Sequence, residues 1–126
     1  MSEPSTTDPE DAHDLREDLA ALLAEDHRAT VARVAALQTD VEDIIERSNE
    51  ASRDDEHDPE GATIAFERAQ ALALLDSAQA HLRAIEFAQQ RLADGLDIRC
   101  ETCGDPIPIE RLLARPTART CVRCAA

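Results

Sequence analysis

Cys100-Glu101-Thr102-Cys103 and, after seventeen intervening residues, Cys121-Val122-Arg123-Cys124 hold every cysteine of the chain. The pattern C-x2-C-x17-C-x2-C reads as a zinc site. Zn²⁺ takes four soft donors in a tetrahedron with Zn–S bonds of about 2.3 Å, and two residues between cysteines let one tight turn offer both sulfurs to a single ion. Gly104 follows the first pair, where a turn often needs positive φ. Four cysteines fill the coordination shell and leave no position for water or substrate, so the expected role of the metal is structural. Three other readings compete. Two disulfides are disfavoured in a chain without a secretion signal, a redox dithiol needs only one C-x-x-C, and an iron–sulfur centre would use the same four thiolates.

Upstream, the sequence predicts two long helices. Residues 1–8 read as a disordered tail. Asp8-Pro9-Glu10-Asp11 is a helix start, with Asp as N-cap, Pro at the first helical position and acids in the first turn. Leu15, Leu19 and Leu22 open an apolar stripe. It continues through Leu23, His27, Thr30, Val34, Leu37, Val41, Ile44, Ser48 and Ala51 at spacings of four and three, a heptad seam whose phase shifts near Leu22/Leu23. No Gly or Pro interrupts residues 10–53, a helix of about 65 Å at 1.5 Å per residue. Asp58-Pro59-Glu60 repeats the start signal. The second stripe runs Ile64, Arg68, Ala71, Leu75, Ala78, Leu82, Ile85, Gln89, Leu92 and Leu96, thickened by Leu72 and Leu74, with Asp94-Gly95 as the stop.

Two amphipathic helices joined by a short link should fold back on each other. The expected fold is mainly α, a long antiparallel two-helix coiled-coil hairpin over residues 9–97 followed by a small four-cysteine zinc finger over 98–126. Its tip, near residues 54–60, is acidic: Asp54, Asp55, Glu56, Asp58 and Glu60. In the finger, Pro108–Leu113 reads as a helical turn. Ile107, Ile109, Leu112, Leu113 and Val122 are candidates for a small cluster that needs its ion to fold.

The bulk composition agrees with a stalk. Two Phe and no Trp or Tyr are poor material for a broad globular core, whereas Ala and Leu fill a narrow seam. The net charge is −14: residues 98–126 carry +2 before metal and residues 1–97 carry −16. So acidic a surface is repelled by phosphates and is suited to a basic protein cleft. The first residues lack a signal pattern, and no apolar run approaches a membrane span. The expected setting is cytoplasmic, with no membrane partner.

The finger, from Cys100 through Asp105-Pro106-Ile107, Arg111-Leu112, Ala114-Arg115-Pro116-Thr117-Ala118 to Cys124, resembles that of the DksA/TraR family. The hairpin resembles the family in architecture. The resemblance implies a transcription factor that binds RNA polymerase rather than DNA, its hairpin entering the secondary channel and acidic tip residues acting near the catalytic centre. The family's tip motif is D-x-x-D-x-A; here Asp55-Glu56-His57-Asp58-Pro59-Glu60 supplies both acids and places Glu60 at the Ala position. Asp55, Asp58 and Glu60 are thus the candidate polymerase-contacting tip, although Asp58 is also placed to cap the second helix. Arg115 and Arg119 are candidate contacts to the polymerase rim or a nucleotide, with arginine beside thiolates as the structural alternative. Arg115 matches the family's A-R-P-T-A, whereas Ala125 stands where the family often has Lys, and the chain ends at Ala126 without the family's closing helix. The elements of a ppGpp response are therefore retained only in part.

Other functional classes are less well served. A nucleic-acid-binding zinc ribbon could use the five finger arginines, but it has no aromatic residues for base stacking, and sequence-specific DNA binding is not expected. A coiled-coil scaffold would show itself as a dimer where the polymerase-binding hairpin is expected to be a monomer. No nucleophile–base pair, phosphate loop or open metal site suggests an enzyme.

Overall fold

The computed structural model describes residues 9–54, 59–95 and 97–125. Three helices are present among them: α1 (Pro9–Asp54), α2 (Pro59–Ala93) and the short α3 (Ile109–Ala114). The two long helices form a hairpin, and the cysteine module follows in the chain. Both predicted prolines stand at the first helical position, where the absent N–H costs no hydrogen bond.

The chain divides into two compact units, one of residues through His27 and from Ala84 onward, the other from Arg28 to Arg83. In the second unit, Val41 and Ile44 of α1 bury against Ala71 of α2, with Ile45, Ile64 and Leu75 packed around them. Arg47 and Glu67 pair across the same helices at 3.4 Å. Both are exposed, so the pair contributes at most about 1 kcal/mol. Small seam residues on α2, Ala71 and Ala78, are buried as well.

In the first unit, Leu19 and Leu23 of α1 meet Ile85 and Ala88 of α2. The same core takes in Cys100, Ile107, Leu112 and Cys121 from the module. Helix ends and cysteine knuckles therefore share one apolar core. Full burial of each large side chain contributes roughly 1.5–3 kcal/mol.

The seam departs from expectation in three places. Leu22 is 44% exposed; the inward set is Leu15, Leu19, Leu23 and His27. Consecutive steps of four act as a stutter, moving the stripe around the helix before steps of three resume. Leu72 and Leu74 do not thicken the α2 stripe: they are 37% and 43% exposed, because a single facing helix is too narrow to cover the flanks. Arg68 is exposed as well, and Leu96 lies outside the described residues. Thr30, by contrast, is buried in the seam.

The end of α2 follows from one glycine. Gly95 takes φ 72° and its amide donates to the Leu92 carbonyl at 3.2 Å, a left-handed stop that glycine adopts without steric strain. Among the described residues, no helix is long and apolar enough to cross a membrane.

Candidate metal centre

The first knuckle is built by backbone pairing. Arg99 and Pro106 face each other antiparallel, through bonds from the Cys100 amide to the Asp105 carbonyl and from the Ile107 amide to the Ile98 carbonyl, both 2.8 Å. Between them the chain turns tightly: the Gly104 amide donates to the Cys100 carbonyl at 3.0 Å, with Gly104 at φ 78°. The second knuckle repeats the turn, the Ala125 amide donating to the Cys121 carbonyl at 2.9 Å. The two turns face each other. All four sulfurs lie within 4.8 Å of one another, and the Cys103 and Cys121 sulfurs are 3.7 Å apart. A tetrahedron with Zn–S bonds of about 2.3 Å has edges of about 3.8 Å. The donor set and its size thus fit one structural zinc ion, held by Cys100, Cys103, Cys121 and Cys124.

Charge across the site is organised by arginine. Arg119 Nε donates to Glu101 at 2.6 Å, and Arg123 Nη2 donates to Asp105, also at 2.6 Å. Each ion pair ties the second knuckle to the first. Arg111 Nε donates to the Thr120 carbonyl at 2.9 Å. Arg115 is exposed beyond α3, where its amide donates to the Arg111 carbonyl.

The sulfurs do not share one acidity. The amides of Cys103 and Cys121 hold the Cys100 thiol down at about 6. Sharing protons with the Cys121 and Cys103 sulfurs pushes Cys124 up to about 12. The Asp105 amide pulls Cys103 down, but burial and the bonds to Cys100 and Cys121 leave it raised. Burial alone would raise Cys121, yet the Cys124 amide and the neighbouring thiols leave it lowered. At about pH 7.5 an ordinary cysteine, with a pKa of about 8.5, is mostly protonated. Zinc coordinates thiolates, so its uptake at that pH is expected to release at least two protons, and its affinity is expected to fall as the pH falls. Calorimetric titration in buffers of different ionisation enthalpy counts them; release of one proton or none would contradict this arrangement.

The structure brings together all four sequence-predicted ligands. It places Arg119 in the cross-knuckle pairing and Arg115 in solvent. Asp55 and Asp58 lie outside the described residues, and so does the side chain of Glu60 in the first turn of α2. Val122, expected in the apolar cluster, is 71% exposed: it lies within the second C-x-x-C turn, whose two cysteines take the inward positions. The sequence reading missed Phe87 and Arg91. Arg119 lies 4.3 Å above the Phe87 ring centroid, Arg91 lies 5.2 Å from it, and Arg91 Nη2 donates to the Ala118 carbonyl at 2.8 Å. The one local signal was an aromatic residue four positions before an arginine on a helix.

Comparison with known proteins accords with this geometry. Residues 95–126 match the model of the prokaryotic dksA/traR C4-type zinc finger. The uncharacterized protein YteA of Bacillus subtilis (strain 168) is 41% identical over 71 residues, covering 56% of this chain and 30% of that protein. An uncharacterized protein of Aquifex aeolicus (strain VF5) is 44% identical over 46 residues, covering 36% and 32% respectively. The matches thus span less than a third of the length of these curated relatives. Among solved structures, that of transcription factor DksA2 from Pseudomonas aeruginosa superposes with a TM-score of 0.71 at 24% identity, over 98% of this chain and 86% of that one. Residues 95–126 thus match the prokaryotic DksA/TraR C4-type zinc finger, in a chain whose fold is similar to that of DksA2.

Proposed function

We propose that the protein is a transcription regulator that binds RNA polymerase directly, presenting the acidic link between α1 and α2 to the secondary channel while the zinc centre fixes the base of the helices. The observation that carries this reading is the likeness in fold to a transcription factor over nearly the whole chain, together with a finger of the matching family. Charge supports it. The −14 net charge disfavours lying along a phosphate backbone and favours a basic protein cleft, where long-range attraction would speed association and orient it. On this reading the protein is a regulator rather than an enzyme. Four cysteines saturate the metal, which leaves no open position for substrate.

Asp55 and Asp58 are the acids assigned to the tip. Their double substitution by Asn removes two charges and leaves, before Pro59, a residue type suited to N-capping. In transcription reactions with cognate polymerase, the parent protein is expected to change transcript yield at responsive promoters. The Asp55→Asn/Asp58→Asn variant is expected to lose most of that effect while retaining parental helicity and co-purification with core enzyme. A double variant as active as the parent would remove the tip from the mechanism. A parent that never associates with core polymerase at low salt would remove the function itself.

A further inference from the structure

Phe87 and Arg91 lie on α2, before the segment matched by the zinc-finger family. Both nonetheless bear on the run of chain that delivers Cys121. Arg91 Nη2 donates to the Ala118 carbonyl at 2.8 Å. The Arg119 guanidinium rests on the Phe87 ring, 4.3 Å from its centroid, with its Nε turned to Glu101 at 2.6 Å. Within the module, Arg111 Nε holds the Thr120 carbonyl at 2.9 Å, and the Glu101 amide donates to the Arg119 carbonyl at 2.9 Å. Three consecutive residues before a metal ligand are therefore gripped one by one.

The knuckles differ in how they are held. The first stands on its own antiparallel backbone pairing around Arg99 and Pro106. The second has its own turn and one backbone bond from the Glu101 amide, and the run that leads into it is held further by arginine side chains and the Phe87 ring. Arg91 is engaged deeply enough that its Nε is enclosed, with no hydrogen-bond partner. Such burial of a guanidinium nitrogen is unfavourable unless the rest of the group is well placed, and here Nη2 is bonded and the ring lies close by.

We infer that Phe87 and Arg91 are positioning residues of the zinc centre: from α2 they hold residues 118–120 so that Cys121 and Cys124 close the coordination shell. Retention of the ion then depends on the last turns of α2. By reciprocity, the bound ion steadies those turns.

The rate of zinc transfer from the full-length, zinc-loaded protein to excess chromophoric chelator tests this. Phe87→Ala/Arg91→Ala is expected to release zinc about tenfold faster than the parent, the scale of supporting-shell substitutions at metal sites, with helicity unchanged at room temperature. Phe87→Trp keeps an aromatic face and is expected to restore the parental rate. Arg91→Lys, with one ammonium in place of a planar fork, is expected to restore it only in part. Leu75→Ala, in the cluster of the other unit, is expected to lower the melting midpoint and leave release unchanged. Should the double variant fail to fold, Phe87→Leu keeps the apolar bulk without the ring and is expected to release zinc about threefold faster, as a milder loss of the same support. The inference is overturned if the folded double variant, or Phe87→Leu in its place, releases zinc at the parental rate. It is overturned equally if Leu75→Ala accelerates release as much as the double variant does.

Discussion

Cys121→Ser is expected to abolish tight zinc binding and to lower the thermal midpoint by more than about 10 °C. Two losses combine at this residue. Its sulfur is one of four that converge on the metal, and structural zinc contributes roughly 10–16 kcal/mol of apparent binding free energy in small finger peptides at neutral pH. Cys121 is also 6% exposed, packed in the core that joins Ile107 and Leu112 to Leu19, Leu23, Ile85 and Ala88. When the knuckle opens, the module no longer covers the helix ends. Even a few kcal/mol lost in this way is large on a scale where about 1 kcal/mol moves the midpoint of a small domain by about 4–8 °C. Metal content by mass spectrometry under native conditions and a far-ultraviolet melt check both parts. A variant that keeps one zinc per chain, or melts within about 2 °C of the parent, would contradict the shared core.

Ile85→Ala is expected to cost about 2–5 kcal/mol, the range for removing a large buried aliphatic side chain. Ile85 is 0% exposed, on α2, among residues of α1 and of the zinc module. The cavity would open where three parts of the chain meet, so collapse from one side cannot readily fill it. Urea unfolding measures the cost, with a lowered midpoint and an unchanged slope as the expected signature. Val122→Ala and Phe66→Ala serve as controls. These side chains are 71% and 70% exposed, and changes at such positions are expected to stay within about 0.5 kcal/mol. A cost below about 1 kcal/mol at Ile85 would mean that the helices and the module do not share this core.

Local signals carried much of this structure, and long-range contacts carried the rest. Proline after aspartate marked both helix starts, and Gly95 marked the second stop, because these residues act through their own backbone. The cysteines were legible because two tight turns must present four sulfurs to one ion, which leaves a fixed spacing in the sequence. Periodicity places the phase shift near Leu22/Leu23 but does not say which of these two neighbours faces inward; Leu23 does and Leu22 does not. Leu72 and Leu74 were misplaced because their burial depends on the breadth of the surface opposite. The Phe87–Arg119 and Arg91–Ala118 contacts bring together residues far apart in the chain, and neither member of a pair announces the other. The same holds for the core: nothing in Ile107 or Leu112 reveals that Leu19 and Ile85 will cover them.

The four sulfurs are not equivalent with respect to solvent. Cys100 and Cys121 are buried, Cys124 is half-buried and Cys103 is exposed. Any competitor for the ion, whether a small chelator or an acceptor protein, therefore meets only one hemisphere of it. Dismantling would begin at the outward pair while the inward pair still clasps the metal, and reloading would run through the same gate in reverse. The order in which the ligands let go is thus expected to follow their burial, with Cys103 first.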